Sequence, residues 1–339
     1  MEDNTTHRAV RTCYSFLLMD AITVLVLADP AEPQLAMLEA LPDSTTVAVG
    51  NIPEAFARTA SQADVILNCG DGKLLRQVWP MAPRVRWVHV CSAGLDRMLF
   101  PELVASPVPL TNARGVFSEV LAEFAIGAVL FFAKGFRRMV LSQRAGIWDQ
   151  FDTVEIRGQT LGMVGYGDIG RAVASRAHAL GMTVLALRRR PERSRDDPYL
   201  TQVFAADQKH EMLARSDYII MAMPLTPESQ GLIGPPEFEV MKRTAVLINI
   251  GRGPVVDERA LVDALERKRI RGAALDVFEV EPLPAGHPFY KLENVLLSPH
   301  AADHTPDWKQ RTMRNFLDNF ERFRQGEPLL NVVDKTSGY

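Results

Sequence analysis

Two side chains that suit carbonyl chemistry follow segments that read as buried strands. His300 comes after the apolar run 295–298 and Pro299, and Glu281 comes after the run 272–276. The carboxyl ends of parallel strands meet at one edge of an open α/β sheet, where ligand clefts form, so we expect the two side chains to lie close together. A carboxylate beside an imidazole orients it and favours its protonated form, which a general acid needs. The alternatives are a structural histidine and a solvated glutamate in a turn.

A third candidate, Arg252, lies in the segment Asn249-Ile-Gly-Arg-Gly-Pro254, directly after another predicted strand. The glycines on either side of it let the backbone come close to a ligand. A guanidinium can hold a carboxylate through two parallel hydrogen bonds. The pattern therefore indicates a site for a small acid, although an arginine in a surface loop would give the same pattern.

The segment Leu161-Gly-Met-Val-Gly-Tyr-Gly-Asp-Ile-Gly170 joins a predicted strand to a predicted helix at 171–180. Its last three glycines have the G-x-G-x-x-G spacing of dinucleotide-binding turns. Gly165 would make the tight turn, Gly167 would let the backbone approach a pyrophosphate, and Gly170 would let the helix pack on the strand. Amides at the start of the helix, those of Asp168 and Ile169 among them, would face the phosphates. The alternative is a glycine-rich structural turn.

The residues after the second strand of this unit, 182–187, bear on the choice of cofactor. An NAD site usually has an acidic residue there, which accepts from the ribose hydroxyls. This chain has Arg188, Arg189 and Arg190 instead, and the first of them lies 18 residues after Gly170. A guanidinium suits a 2′-phosphate. We therefore expect NADP, with NAD possible; a solvated basic turn is the alternative reading.

Around these residues, strand-like and helix-like segments alternate, which is typical of parallel α/β sheets. The predicted strands of the first part are 21–28, 45–49, 65–68, 85–90 and 108–112. From Ser118 the alternation restarts with a long helix and the glycine turn, followed by strands at 183–187, 218–222, 245–249, 272–276 and 295–298. The fold class is therefore α/β, with a doubly wound Rossmann nucleotide-binding domain inserted in a smaller flavodoxin-like α/β substrate domain.

The predicted domain boundaries follow from this alternation. Residues 1–114 and 306–339 form the substrate-binding domain, and residues 115–305 form the dinucleotide-binding domain. The last helix, at about 306–325, and the tail 329–333 are expected to return to the first domain. Residues 1–18 are expected to be a poorly ordered extension.

Composition restricts the class of protein. A chain of 339 residues, 47% apolar and with a formal charge of −3, is typical of a soluble globular protein, and the absence of a basic excess argues against a nucleic-acid partner. The longest apolar run, 124–133, is too short to span a membrane, so it predicts a buried helix that begins near Ser118. Three cysteines form no C-x-x-C pair and leave one unpaired, which indicates a reducing compartment and no metal site. The run 14–19 loosely resembles a signal peptide but has no small-residue cleavage signature, so we expect a cytoplasmic protein.

Taken together, these segments resemble the D-isomer-specific 2-hydroxyacid dehydrogenases, and among them the glyoxylate and hydroxypyruvate reductase-like members. Besides the glycine turn and the segments around Arg252, Glu281 and His300, the matching motifs are Pro224-Leu-Thr226, Ser92-Ala-Gly-Leu-Asp96 and residues 112–124. The resemblance covers nearly all of residues 20–335. It implies an NAD(P)H-dependent oxidoreductase that reduces small 2-keto acids to D-2-hydroxy acids.

The resemblance also implies a role for each substrate-site residue. His300 would be the catalytic acid/base and Glu281 its partner. Arg252 would hold the substrate carboxylate and polarise the keto oxygen. The backbone amides of Ala93 and Gly94 would bind the same carboxylate from the smaller domain.

On the cofactor side, the resemblance implies that Asp276 contacts the nicotinamide carboxamide. Pro224, Thr226 and Ile250 would line the cofactor. The arginine at position 188 departs from the NAD-type pattern of the family. Trp148 and Trp308 are candidates for the walls of the substrate cleft, although packing is the more ordinary role of such residues.

Two alternatives and an assembly state complete the predictions. A dinucleotide-sensing protein of the corepressor type keeps the same triad, but usually carries long extensions for its partners. Formate oxidisers of this fold carry a glutamine where this chain has Glu281, which counts against that branch. The nearly all-apolar helix at 118–133 and the family resemblance predict a homodimer with a twofold interface.

Overall fold

Alternating strands and helices build two separate parallel sheets in the computed structural model, which describes residues 21–338. The predicted extension at residues 1–18 lies outside the described residues. The strands are short runs in which β-branched and other apolar residues predominate, and most of their side chains are buried. Such continuous apolar runs are typical of parallel strands that are covered on both faces.

The first sheet has the strand order β2-β1-β3-β4-β5. Its strands are β1 (Thr23–Leu27), β2 (Thr46–Gly50), β3 (Val65–Asn68), β4 (Trp87–Val90) and β5 (Leu110–Asn112). Helices α1 (Gly72–Val78) and α2 (Pro101–Ala105) connect its later strands, whereas Pro33–Ala40 and Pro53–Phe56 are 3-10 helices. This is the flavodoxin-like order.

The second sheet has the order β12-β11-β10-β9-β6-β7-β8. Its strands are β6 (Thr160–Val164), β7 (Thr183–Leu187), β8 (Gln202–Phe204), β9 (Tyr218–Met221), β10 (Val246–Asn249), β11 (Gly272–Leu275) and β12 (Val295–Leu297). The chain order reverses between β6 and β9, as in doubly wound nucleotide-binding sheets, whose ligands bind at that point. The predicted fold class is confirmed.

Within the described residues, seven further helices surround the second sheet or follow it. They are α3 (Ser118–Lys134), α4 (Phe136–Ala145), α5 (Asp168–Ala179), α6 (Lys209–Arg215), α7 (Pro235–Val240), α8 (Glu258–Glu266) and α9 (Trp308–Gln325). One face of α3 packs into the core beside α5 and β10, so the expected buried helix is present. Elements that the sequence analysis did not predict are the edge strand β8 and the helix α4, which has no buried residue.

The last helix and the tail return to the first sheet, as expected. Met313, Phe316 and Phe320 of α9 pack in one cluster with Trp87 of β4. Gly326, in the left-handed conformation, ends the helix. The backbone N–H of Val333 then donates to Leu110 of β5 at 2.9 Å. The boundaries proposed between the two domains, near 114 and 305, stay a prediction.

None of the helices within residues 21–338 combines the length and the apolar character that crossing a membrane requires.

Candidate active site

The glycine turn lies between β6 and α5, at the point where the strand order of the second sheet reverses. Gly165 has a φ of +90°, and a side chain there would meet the carbonyl oxygen of Ala222 at 2.8 Å. A side chain at Gly170 would meet the carbonyl oxygen of Gly165 at 2.6 Å, so the helix packs closely on the strand. Beside Gly167, in contrast, there is open space. The turn therefore has the shape that a pyrophosphate needs.

The amino end of α5 faces this open space. Helix α5 begins at Asp168, three residues earlier than predicted, with Gly167 as its N-cap. The amides of Asp168, Ile169 and Gly170 have no acceptor within the helix, and they carry the positive end of its dipole. An anionic pyrophosphate fits this donor set. The carboxylate of Asp168 pairs with Arg114 at 3.3 Å.

Arg188 follows β7 directly, at the position where an NAD site carries an acid. Its backbone N–H donates to Phe204 of β8 at 3.1 Å, and its Nη1 donates to the hydroxyl of Ser194. Arg188 is half-buried, whereas Arg189 and Arg190 are exposed. Position 188 thus carries a guanidinium where an NAD site has a carboxylate.

The other residues expected at the cofactor lie on two neighbouring strand ends. Pro224 and Thr226 follow β9, where the Ser229 hydroxyl donates to the Pro224 carbonyl at 2.8 Å and accepts from the Thr226 backbone N–H at 2.7 Å. Ile250 follows β10, and its side chain packs in the core with only 4% exposed. Any contact of Ile250 with a cofactor would therefore fall mainly to its backbone.

His300 and Glu281 form the hydrogen-bonded pair that the sequence analysis predicted. His300 Nδ1 lies 2.9 Å from Glu281 Oε2, and the other carboxylate oxygen, Oε1, accepts from the backbone N–H of Phe278 at 3.0 Å. The imidazole is 44% exposed and the carboxylate 18%. Because Nδ1 is engaged, Nε2 is the ring nitrogen available to a ligand.

Asp276 holds the loop that carries His300. Its carboxylate Oδ1 accepts from the Ser298 hydroxyl at 2.6 Å and from the backbone N–H groups of Ala301 and Ala302 at 2.9 and 3.0 Å. Its carbonyl accepts from the N–H of His300 at 2.9 Å. His300 has a φ of +51°, a conformation that non-glycine residues adopt at a cost, so these bonds hold it in place. The sequence analysis did not predict this role.

Arg252 is held at three points. Its Nε donates to Asp96 Oδ1 at 2.8 Å, its Nη1 donates to the carbonyl of Gly251 at 2.8 Å, and its own carbonyl accepts from the Asn249 side chain at 3.0 Å. Its Nη2 lies against Gly94, where a Cβ would come within 1.5 Å of that nitrogen. A side chain at position 94 would displace the guanidinium from this position.

Two side-chain hydrogen bonds also fix the loop that contains Ala93 and Gly94. The side chain of Asn112, at the end of β5, donates to the Ala93 carbonyl at 2.7 Å, and the Ser92 hydroxyl donates to the Gly94 carbonyl at 2.8 Å. The next residues reach the second sheet. Asp96 bonds to Arg252, and Arg97 Nη2 lies 3.9 Å from Glu281 Oε2. Asp96 lies within a motif of the family resemblance, but its partner is 156 residues away, so sequence spacing gave no signal for the contact.

The two tryptophans suggested for the cleft differ in their surroundings. The ring of Trp308 stacks on His304, with 4.9 Å between ring centroids and 6° between planes, and lies 6.4 Å from the ring of Phe117. Trp148 is 91% exposed, so it contacts almost nothing in its own chain. Among residues 21–338, His, Cys, Asp and Glu side chains form no group of three that could hold a metal ion.

Comparison with known proteins identifies the family of this chain. The family profile described as D-isomer specific 2-hydroxyacid dehydrogenase, NAD binding domain, matches residues 126–302. A glyoxylate reductase of Thermofilum pendens is 34% identical over 316 residues, which are 90% of this chain and 92% of that protein. A D-3-phosphoglycerate dehydrogenase of Methanocaldococcus jannaschii is 30% identical over 320 residues, and the match spans 91% of this chain but 59% of that protein.

A solved structure gives the same result. The D-isomer specific 2-hydroxyacid dehydrogenase from Xanthobacter autotrophicus Py2, crystallised in complex with NADPH and MES, has a TM-score of 0.78 and 29% identity. The similarity covers 94% of this chain and all of that one. The chain belongs to the D-isomer-specific 2-hydroxyacid dehydrogenase family, and it is an oxidoreductase that depends on a nicotinamide dinucleotide.

Proposed function

We propose that this protein reduces small 2-keto acids, of the glyoxylate and hydroxypyruvate class, to D-2-hydroxy acids with NADPH. The observation that carries the proposal is the pairing of His300 with Glu281 at 2.9 Å, beside an arginine that is held in a fixed orientation. Consecutive residues of one loop, Asp96 and Arg97, contact Arg252 and Glu281 respectively. A proton donor and a carboxylate-binding group therefore flank the same loop.

His300 is assigned the proton transfer. Since Glu281 engages Nδ1, the transferable proton lies on Nε2 of the imidazolium, and it goes to the keto oxygen of the substrate. The hydrogen bond between Glu281 and Nδ1 fixes the orientation of the ring. When bound, the nicotinamide cofactor supplies the hydride that the keto carbon accepts.

Arg252 and the loop at Ala93 and Gly94 are assigned the substrate carboxylate. Two edges of the guanidinium are occupied by Asp96 and by the Gly251 carbonyl, so Nη2 beside Gly94 is directed to the ligand. A guanidinium there also stabilises the negative charge that develops on the keto oxygen.

NADP rather than NAD is proposed as the cofactor. Arg188 and Arg189 stand where an NAD site has its acid, and guanidinium groups bind a 2′-phosphate through charge-assisted hydrogen bonds. The hydroxyl of Ser194, already bonded to Arg188, supplies a further donor at the same place.

A homodimer is also proposed, and its support lies in an exposed apolar surface. We define the α4 face as Phe136, Met139, Val140, Leu141, Ile147 and Trp148, whose exposure ranges from 43% to 91%. Helix α3, from which the dimer was predicted, is largely buried in its own chain, although its Phe124 and Phe131 are half-buried. Asp149 accepts two hydrogen bonds from Arg138, at 2.5 and 2.7 Å, so the segment that carries Trp148 is anchored to α4. In a homodimer, an isologous contact between the α4 faces of the two protomers would cover this exposed apolar surface.

Steady-state assay of the purified protein tests the proposed activity. NADPH oxidation is measured with glyoxylate, hydroxypyruvate, pyruvate and bulkier 2-keto acids, and again with NADH. The proposal expects the highest kcat/KM for a small 2-keto acid with NADPH. Tight NADPH binding without turnover of any keto acid would instead support a dinucleotide-sensing protein. The expected location is the cytoplasm, because three cysteines leave one unpaired, which indicates a reducing compartment.

A further inference from the structure

Two cysteines lie side by side at the edge of the first sheet that faces the second. Cys69 directly follows β3 and Cys91 directly follows β4, and these strands are neighbours whose last paired residues are Asn68 and Val90. The two cysteines occupy the next position of this register. Their Sγ atoms are 2.9 Å apart and share a hydrogen bond.

The backbone around both thiols is already fixed. The N–H of Cys91 donates to the carbonyl of Asn68 at 2.9 Å, and the N–H of Cys69 donates to the carbonyl of Leu27 at 3.0 Å. A disulfide has a bond of about 2.05 Å. The sulfur atoms therefore need to approach by less than roughly 1 Å, which side-chain rotation can supply without a change in strand pairing.

Burial and the contact between the two sulfur atoms act on the Cys91 thiol. Each residue is half-buried, neither is in a disulfide, and no bulky element separates them. The hydrogen bond with Cys69, together with burial, raises the pKa of the Cys91 thiol well above its usual range. Cys91 thus stays protonated at neutral pH.

We propose that Cys69 and Cys91 are a modification site that a hydroperoxide converts from a dithiol to a disulfide. The Cys69 thiolate attacks the O–O bond of hydrogen peroxide and becomes a sulfenic acid, while the departing hydroxide takes up a proton and forms water. The Cys91 sulfur then attacks the sulfenic sulfur, and the hydroxyl leaves with the thiol proton as a second water. Two thiols are oxidised, one peroxide is reduced, and a thiol reductant reverses the change.

The position of the pair connects this modification with the substrate loop. Cys91 is followed at once by Ser92, Ala93 and Gly94, the loop to which the proposed function assigns the substrate carboxylate. A disulfide moves Cys91 Sγ toward Cys69 and fixes the Cys91 side chain, and the loop begins at the next residue. We therefore expect the disulfide to weaken keto-acid binding and to leave the cofactor site on the second sheet unchanged; this consequence rests on the proposed function.

The bond itself is tested without any activity measurement. The full chain carries Cys13→Ser, so that these two thiols remain, and is treated with hydrogen peroxide and digested with trypsin without reductant. The expected product joins peptides 59–73 and 87–97, has lost the mass of two hydrogen atoms, and separates on treatment with dithiothreitol. Cys69→Ser and Cys91→Ser, each made singly, serve as matched controls that cannot form the link. Sulfinic acids on unlinked peptides, or no reaction at either thiol, would overturn the proposal.

The effect on the substrate is measured separately, on the same oxidised protein. We expect KM for the best keto acid to rise severalfold, the Kd of NADPH to stay the same, and both single serine variants to resist the change. A fully formed disulfide with an unaltered KM would contradict the link to the substrate loop while the modification site stands. A reduced protein that turns over no keto acid would contradict the proposed function instead, and the peptide result would still decide the bond.

Discussion

Asp96 Oδ1 accepts a hydrogen bond from Nε of Arg252 at 2.8 Å, and so joins the loop after β4 to the loop after β10. The two side chains are 22% and 26% exposed. This bond occupies Nε of the guanidinium, and Nη1 donates to the Gly251 carbonyl. Asp96 therefore acts as a positioning residue, which keeps Nη2 beside Gly94 where the substrate carboxylate is proposed.

Removal of the Asp96 carboxylate should damage substrate use and leave cofactor binding intact. Hydrogen bonds to charged groups contribute about 1.5–3 kcal/mol, so Asp96→Ala should lower kcat/KM by about tenfold to a hundredfold. Asp96→Asn keeps an acceptor and should restore part of the loss. The exposed Asp43→Ala is the control. Equal losses in the Asn and Ala variants would show that orientation of Arg252 does not depend on this acceptor.

Replacement of His300 tests the proton transfer. His300→Ala should lower turnover by roughly a hundredfold or more, the usual scale for loss of a general acid. Glu281→Gln should reduce turnover less, because the amide can still orient the ring but carries no charge. The Kd of NADPH, measured by fluorescence, should barely change in either variant. His178→Ala, on the exposed side of α5, is the control. Near-normal turnover of His300→Ala would exclude His300 as the acid.

Cofactor preference should depend on the arginines after β7. One or two charge-assisted contacts of about 1.5–3 kcal/mol correspond to a preference for NADPH on the order of tenfold to several hundredfold. The preference should weaken with salt, because Arg189 is exposed. Arg188→Asp with Arg189→Ser should reverse the order of the two dissociation constants, whereas the exposed Arg259→Ser should not. Equal dissociation constants in the unmodified protein would show that the arginines form only a solvated turn.

The α4 face should determine the assembly state. Val140 is 48% exposed, and an aspartate there would place an uncompensated charge in the proposed contact. Light scattering should give the mass of a dimer for the unmodified protein and of a monomer for Val140→Asp. Ile52→Asp is a control at a residue of similar exposure, 54%, beside the first sheet. A monomer mass for the unmodified protein at all concentrations would refute the dimer.

Acid should destabilise the fold through a buried histidine. His89 is fully buried, and burial lowers its pKa to about 3 from the usual 6.5. In the unfolded chain, this residue therefore binds a proton below about pH 6.5. In the folded chain, it binds the proton only near pH 3. Stability present above pH 6.5 is lost as the pH falls, by about 1.4 kcal/mol per pH unit over this window.

Urea denaturation at pH 7 and pH 5 measures this loss. The unmodified protein should lose about 2 kcal/mol more than His89→Gln between these two pH values, since roughly 1.5 pH units of the window are crossed. The comparison uses the difference between pH values, so a variant that is less stable at both still gives an answer. His178→Gln, at an exposed position, should behave like the unmodified protein. An identical pH dependence in His89→Gln would exclude this residue as the cause.

Much of this architecture follows from local pattern. The strands before Arg252, Glu281 and His300 are short apolar runs, and such runs are buried on both faces in parallel sheets, so their positions could be predicted from the sequence. The glycine turn was recognisable because its spacing is imposed by backbone geometry at adjacent residues. The meeting of His300 with Glu281 followed from a different rule, that parallel strands end at one edge of a sheet.

Only the tertiary structure decided the contacts between segments that lie far apart in the chain. Asp96 and Arg252 are separated by 156 residues, and Cys69 and Cys91 meet only because β3 and β4 pair in one particular register. The exposure of α4 and the edge strand β8 depend on what does or does not pack against them. Polar loop residues show no periodicity, so nothing in their own segment specifies their partner. The sequence by itself determined which chemical groups stand at the strand ends, and the packing of the two sheets decided which of them touch.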